Sequence, residues 1–397
     1  MGNFALVALE AASVLMMGAS MFPEQVQEKA RIRIAAGAVA FEGTEERRKF
    51  GANTGGDIPH VHIYDVHGQD LGWKQGESKP NGGKNVGDGE SVVREIETSG
   101  HPEYLRLLAY GKDATCVAYI TMTGPSGEDY QTWNGDFAKA CGAAWYPSPQ
   151  GFPGANDFTP ACVWISRDDR YLQAISLRMP DFRFPKSEAA VAAAEQWKKD
   201  KGLLCDAPAR QSLIKEAKIT DCIDFYPFNE KKAEDGTDLD PNAIKHGHKK
   251  ANCKGAQPKP EPEPKGYKDN IKTSVVDTGS PAGPVMKRRS TKERRDELAA
   301  RGEMCVDGLV QSNLNSHSAR EVCESETSSG PDFVAVNGKE RLYCDMCEHQ
   351  LWDLCGEGIT QDCFDLDAQK LVLSGSLAKR DEEEGLQKEY KKFAHWK

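Results

Sequence analysis

The sequence predicts a mainly β protein with some α structure: an antiparallel, β-sandwich-like N-terminal domain followed by a small, disulfide-rich C-terminal domain. Three observations carry this expectation. Runs of β-branched and aromatic residues recur between Gly, Asp and Pro turns across residues 50–228. A polar, Pro-rich stretch over residues 229–289 reads as a linker. All twelve cysteines lie at or beyond position 116, and six of them fall between Cys305 and Cys363. At 397 residues the chain also exceeds the usual size of a single core, which favours two domains.

The elements follow in order. Residues 1–20 read as a signal peptide: residues 4–22 are largely apolar, and Gly18 and Ser20 are small residues placed for cleavage after Ser20. No Lys or Arg precedes the apolar run, and Glu10 interrupts it. Residues 24–50 are mixed, with a basic–apolar run KARIRIAAGAVAF. In HVHIYDVHGQD, alternation puts Val61 and Ile63 on one strand face and His60, His62 and Tyr64 on the other. HGQD can turn the chain and LGWKQG can return it. After a Gly-rich loop, SVVREIE, YLRLLAY, TCVAYITMT, CVWIS and LQAISLRM continue the strand pattern. One clear helix intervenes, SEAAVAAAEQWKKDK, with Ser187 as its N-cap, Gly202 beyond its end, and Val191, Ala194 and Trp197 facing the core. A capping-box pattern, Ser290 with Glu293, opens a cysteine-rich domain over residues 290–375. Residues 376–397 read as a charged, frayed tail.

Composition limits function. A net charge of −10 argues against nucleic-acid binding and against docking on an anionic membrane. Beyond the N-terminal run, no stretch reaches the roughly 20 apolar residues of a membrane span. An even cysteine count behind a signal peptide predicts structural disulfides through Cys116, Cys141, Cys162, Cys205, Cys222, Cys253, Cys305, Cys323, Cys344, Cys347, Cys355 and Cys363. Cys344-x-x-Cys347 could be half of a zinc site or a redox pair; the preferred reading joins the two to different partners.

The candidate sites each have a plain alternative. His60 and His62 share a strand face and could bind Zn²⁺ or Cu²⁺ if His67 or Asp65 converged. The preferred reading is a solvated strand face, and no cofactor is expected. Asp235, Asp238 and Asp240 lack EF-hand spacing and read as solvated linker. Trp133, Trp145 and Tyr146 could bind a ligand such as a sugar ring, or fill a core, with Trp133 expected to be the most exposed. Lys287-Arg288-Arg289 and Lys379-Arg380 resemble dibasic processing sites. No GxSxG, P-loop, GxGxxG or HExxH motif occurs.

The stretches YLRLLAYGKDATCVAYI, WNGDFAKACGAAWYPS, PACVWI and SHSAREVCESETSSGPDFVAVNGKERLYCDMCEHQLWDLC together resemble a group of uncharacterised, secreted, cysteine-rich proteins of filamentous fungi. The likeness spans about half of the chain and implies secretion and a fungal source. It carries no catalytic residue. Cys347 and the long polar linker depart from the group, so no pairing is inherited. The function expected from these features is non-enzymatic binding of an extracellular protein or glycan of a host, cell wall or competitor. The alternative is a secreted hydrolase that cuts polysaccharide through a carboxylate pair.

Overall fold

A computed structural model describes residues 29–42, 54–98, 100–127, 130–152, 158–168, 170–182, 188–228, 232–252, 304–356, 358–375 and 387–397. The expected signal peptide, Ser187, Cys253, the Pro-Glu run, the helix expected from Ser290 and both dibasic pairs lie outside these residues.

The N-terminal half holds two antiparallel sheets. The first runs Trp145–Tyr146, Cys162–Ile165, Thr115–Thr123, Lys29–Ala36, Ser91–Glu97, with Tyr130–Asn134 paired to the far part of Thr115–Thr123. The second runs Gln211–Ile214, Ala174–Arg178, Tyr104–Leu108, His60–Tyr64, Asp70–Lys74. Ile32, Ile34, Val117 and Ile120 of the first and Val61, Ile63, Leu105 and Leu107 of the second belong to one apolar core. The fold is thus mainly β and sandwich-like, as the alternation implies.

The mixed reading of residues 24–50 needs correction, because Lys29–Ala36 is bonded on both sides within the first sheet. Its residues explain the position. Ala30, Ile32 and Ile34 are fully buried. On the opposite face Arg31 lies across from Glu95 and Lys29 from Glu97, with ion pairs at 3.0 and 3.6 Å.

The expected helix spans Glu188–Lys199. Ala194 and Trp197 are buried, Val191 is half-buried, and Trp197 packs edge-on against Phe137 and Phe182. Residues 232–252, read as linker, are folded in part: Pro241–His246 is a short helix capped by Asp240, whose side chain accepts from the Ala243 N–H. Asp238 is buried rather than solvated, because the fully buried Arg210 meets it with two bonds of 3.0 Å.

The C-terminal sheet has seven strands in the order Lys370–Val372, Cys363–Asp365, Gln350–Leu354, Arg341–Asp345, Asp332–Val336, Gly308–Ser312, Lys392–Trp396. The helix Ala319–Glu324 makes the crossover between the parallel strands Gly308–Ser312 and Asp332–Val336. Its N-cap Ser318 accepts from the Glu321 N–H. The frayed-tail expectation for residues 376–397 fails at Lys392–Trp396, which pairs parallel to Gly308–Ser312. Ala394 and Trp396 alternate into the core, and that apolar burial holds the strand despite its charged neighbours.

The C-terminal sheet packs directly on the first sheet. Trp145 N–H donates to Thr327 O, Tyr146 OH to Pro331 O at 2.9 Å, Trp164 Nε1 to Ser329 O at 2.8 Å and Trp396 Nε1 to Val39 O at 2.8 Å. Gly330 lies flat on the Tyr146 ring, where a Cβ would fall 2.2 Å from a ring carbon. Five disulfides are described: Cys116–Cys162, Cys141–Cys205, Cys305–Cys347, Cys323–Cys344 and Cys355–Cys363. Cys222 is also disulfide-bonded, and Cys344 and Cys347 have different partners, as expected.

Candidate functional site

The strand His60–Tyr64 and its hairpin place the histidines. Asp65 Oδ1 accepts from the N–H groups of His67 and Gln69, both at 2.8 Å, and Gly68 supplies the positive φ of 71° that the turn needs. His67 is left exposed on this turn. Val61 and Ile63 are fully buried in the sandwich core.

The opposite face is covered at His62, which overturns the expectation of solvent exposure there, while His60 stays partly exposed. His62 is only 5% exposed. Register sets Trp73 opposite it on one neighbouring strand and Arg106 on the other. The Trp73 ring lies 5.6 Å from the His62 ring, and Tyr64 OH is 3.2 Å from His62 Nδ1. His60 is half-buried between Trp73 and Tyr110, and its Nδ1 accepts from the Gly76 N–H at 3.1 Å. The neutral His60 therefore carries its proton on Nε2. Burial, then Arg167 and Arg94 near His60 and Arg106 near His62, push both imidazoles down to about 4. Among the described residues no group of three or more His, Cys, Asp or Glu side chains is arranged to hold a metal ion.

These imidazoles resist protonation when folded and accept it near pH 6.5 when unfolded. Stability therefore falls as pH drops from about 6.5 toward 4, by up to about 1.4 kcal/mol per pH unit for each group. Replacing His62 with Gln is expected to shrink the difference between urea midpoints measured at pH 7 and pH 5. An unchanged difference would mean that His62 titrates freely in the native state.

A carboxylate pair adjoins this face. Asp57 is 7% exposed, packs on Gly111 and is held at its N–H by Asp113 O at 3.1 Å. Its Oδ1 has no hydrogen-bond partner among the described residues. Burial, then the neighbouring Asp113 carboxylate, raise the Asp57 carboxyl to about 7. Asp113 is more exposed, accepts from Asn85 Nδ2 at 2.7 Å and is also raised, first by local desolvation. Such a pair can hold one proton at neutral pH, the chemistry of a general acid. Asp57, however, is covered by the loop that carries Gly111 and Asp113.

The aromatic candidates are internal. Trp133, expected to be the most exposed, is fully buried and donates from Nε1 to Gln211 Oε1 at 2.8 Å. Trp145 is 2% exposed, donates to Ser325 Oγ and lies under the Lys139 ammonium at 3.6 Å. Tyr146 is fully buried against Phe333 and Trp396. Strand pairing and the C-terminal sheet cover all three.

Sequence reasoning missed an open cleft of about 480 Å³ on the C-terminal sheet, whose lining includes Arg320, Lys339, Arg341, Glu340, Asp353 and Ile359. Asn337 Oδ1 accepts from the N–H groups of Lys339 and Glu340, which forms the tight turn that presents them. Glu340 turns away from a ligand role: its carboxylate accepts from Ser318 Oγ and the Ala319 N–H at the helix start. Arg320 pairs with Glu324 at 3.3 Å, and Lys339 Nζ donates to Asn315 O. Arg341 has no ion-pair partner among the described residues, and Ile359 is a large apolar side chain exposed at 38%. Cys355–Cys363 pins the loop that carries Ile359. Two signals were available: Ser318-x-x-Glu321 marks the helix that carries Arg320, and Lys339 and Arg341 are two apart beside a strand. The chain matches no known family model and no curated protein.

Proposed function

We propose that this is an extracellular, disulfide-stabilised binding protein, and that its C-terminal cleft takes an acidic segment of another protein. The observation that carries this reading is the charge of the cleft. A chain with a net charge of −10 lines one open concavity with Arg320, Lys339 and Arg341 against Glu340 and Asp353. Arg320 is paired with Glu324 and Glu340 is bonded to the helix start, so Lys339 and Arg341 set the charge beside the apolar Ile359. Cations around an apolar contact suit a segment that mixes carboxylates with apolar side chains. A sugar chain has less support, because the aromatic rings that could stack on it are buried. Extracellular placement rests on the disulfides, on the absence of free cysteines among the described residues and on the resemblance to secreted proteins. Among the described residues no helix is long and apolar enough to cross a membrane.

The hydrolase alternative would rest on Asp57 and Asp113. It takes second place because a carboxyl 7% exposed beneath a packed loop does not reach a polymer chain.

Binding of the full chain to an array of acidic and neutral peptides, at low and high salt, tests the proposal. Lys339→Glu with Arg341→Glu is expected to weaken binding about tenfold or more and to flatten its salt dependence. Binding that survives the double substitution, or that prefers acidic polysaccharide over every peptide, would remove the reading.

A further inference from the structure

The C-terminal sheet contains a buried cluster that the proposed function does not use. Asp332 begins a central strand and is fully buried. Lys388 reaches it from the segment before the last strand, and its Nζ lies 2.7 Å from Asp332 Oδ2 and 2.7 Å from Asp345 Oδ1. The three side chains are 4% exposed or less. Tyr343 OH and Tyr390 OH lie 2.8 and 2.6 Å from the same Asp332 Oδ2 and 2.7 Å from each other. The Met346 N–H donates to Asp332 Oδ1 at 2.7 Å. Asp345 Oδ1 also accepts from the N–H groups of Cys347 and Glu348, both at 3.0 Å.

We propose that Lys388 and Asp332 condense into an intramolecular isopeptide bond, with Asp345 as the proton carrier. The two carboxyl oxygens of Asp332 have different surroundings that match different roles. Oδ1 faces a backbone N–H, which can stabilise negative charge as the carbon becomes tetrahedral. Oδ2 faces two phenols and the amine, which can deliver protons to a departing oxygen.

The step balances without any co-reactant. Asp345 takes a proton from the Lys388 ammonium. The freed Nζ lone pair attacks Cγ of Asp332, which is in its acid form. The C–N bond forms, the C–Oδ2 bond breaks, and Oδ2 leaves as water with its own proton and the one returned by Asp345. Asp345 then takes the second proton from the nitrogen, which leaves a neutral amide N–H and a protonated Asp345. Nothing is oxidised or reduced. Burial, only partly offset by Lys388, raises the Asp332 carboxyl to about 6, which favours the acid form that the attack requires.

Two physical arguments favour the product. Burying a lysine and two carboxylates away from water is costly, and the amide removes one cation and one anion from that interior. A water-excluding site also holds the reacting groups in contact, which replaces a bimolecular encounter with a local one. The bond would fasten the segment leading into the edge strand Lys392–Trp396 to the middle of its sheet.

The test is a peptide map of the reduced and denatured wild-type chain by tandem mass spectrometry. The expected result is a branched peptide that joins Asp332 to Lys388 and is lighter than its two parts by one water, with no tryptic cleavage after Lys388. Lys388→Arg should abolish the branch, and Asp345→Ala should abolish or greatly slow it. A wild-type map with separate linear peptides and a free Lys388 amine would overturn the proposal, whatever the variants do. A branch that persists undiminished in Asp345→Ala would overturn the assigned proton carrier.

Discussion

Full reduction with excess thiol, without denaturant, is expected to unfold this protein. The five described bridges contribute about 2–4 kcal/mol each by restricting the unfolded chain, against a usual margin of about 5–15 kcal/mol for a folded domain. Cys116–Cys162 has the most to lose in packing, because both sulfurs lie fully buried in the sandwich core. Gly37 sits against the Cys162 sulfur, so that site cannot readily admit larger replacements. Near-ultraviolet circular dichroism should collapse on reduction, and trypsin should then digest the chain throughout. A reduced protein that kept its near-ultraviolet spectrum would show that the apolar core alone sustains the fold.

Replacing Arg210 with Met is expected to cost about 3–5 kcal/mol at pH 7. Arg210 is fully buried and bonds Asp238 twice, Asp181 Oδ2 at 3.2 Å and Leu203 O at 2.7 Å. Burial alone would raise Asp181 and Asp238, but the Arg210 guanidinium, helped at Asp181 by Arg178 and at both by Lys232, overrides it and holds both below the usual carboxylate range. The sign for pH follows. Carboxylates depressed in the folded state contribute stability above about pH 4, and that contribution is lost as pH falls through their folded values. Without Arg210 the two carboxyls can relieve their burial by protonation, so the deficit should shrink toward pH 3. Denaturant midpoints of both proteins at pH 7 and pH 3 would check this. An equal deficit at the two pH values would point to lost packing against Trp197, whose ring lies 5.0 Å from the guanidinium, instead of lost charge pairing.

What was legible in the sequence was local. The hairpin through Asp65 and Gly68, the helix Glu188–Lys199 and the separate partners of Cys344 and Cys347 follow from turn chemistry, helix propensity and cysteine spacing. What was missed depends on partners far along the chain. Lys29–Ala36 alternates well, yet only its pairing with Ser91–Glu97 and Thr115–Thr123 shows it to be a central strand. His62 was expected at the surface because strand alternation reports which face a residue takes and not what later covers that face. The covering residues, Trp73 and Arg106, come from two other strands. Asp238 looked solvated until Arg210, 28 positions away, was found beside it. The cleft was equally invisible, since a concavity belongs to a folded surface and not to a spacing.

The contact between Trp396 Nε1 and Val39 O spans 357 positions. During synthesis that bond cannot form until position 396 has cleared the ribosome, so the first sheet must wait with the Val39 carbonyl unanswered. A contact of such sequence separation closes late and slowly. In the interval the faces of Tyr146 and Phe333 that Trp396 later covers are open to chaperones, and a nascent chain arrested before residue 396 would keep presenting that apolar surface.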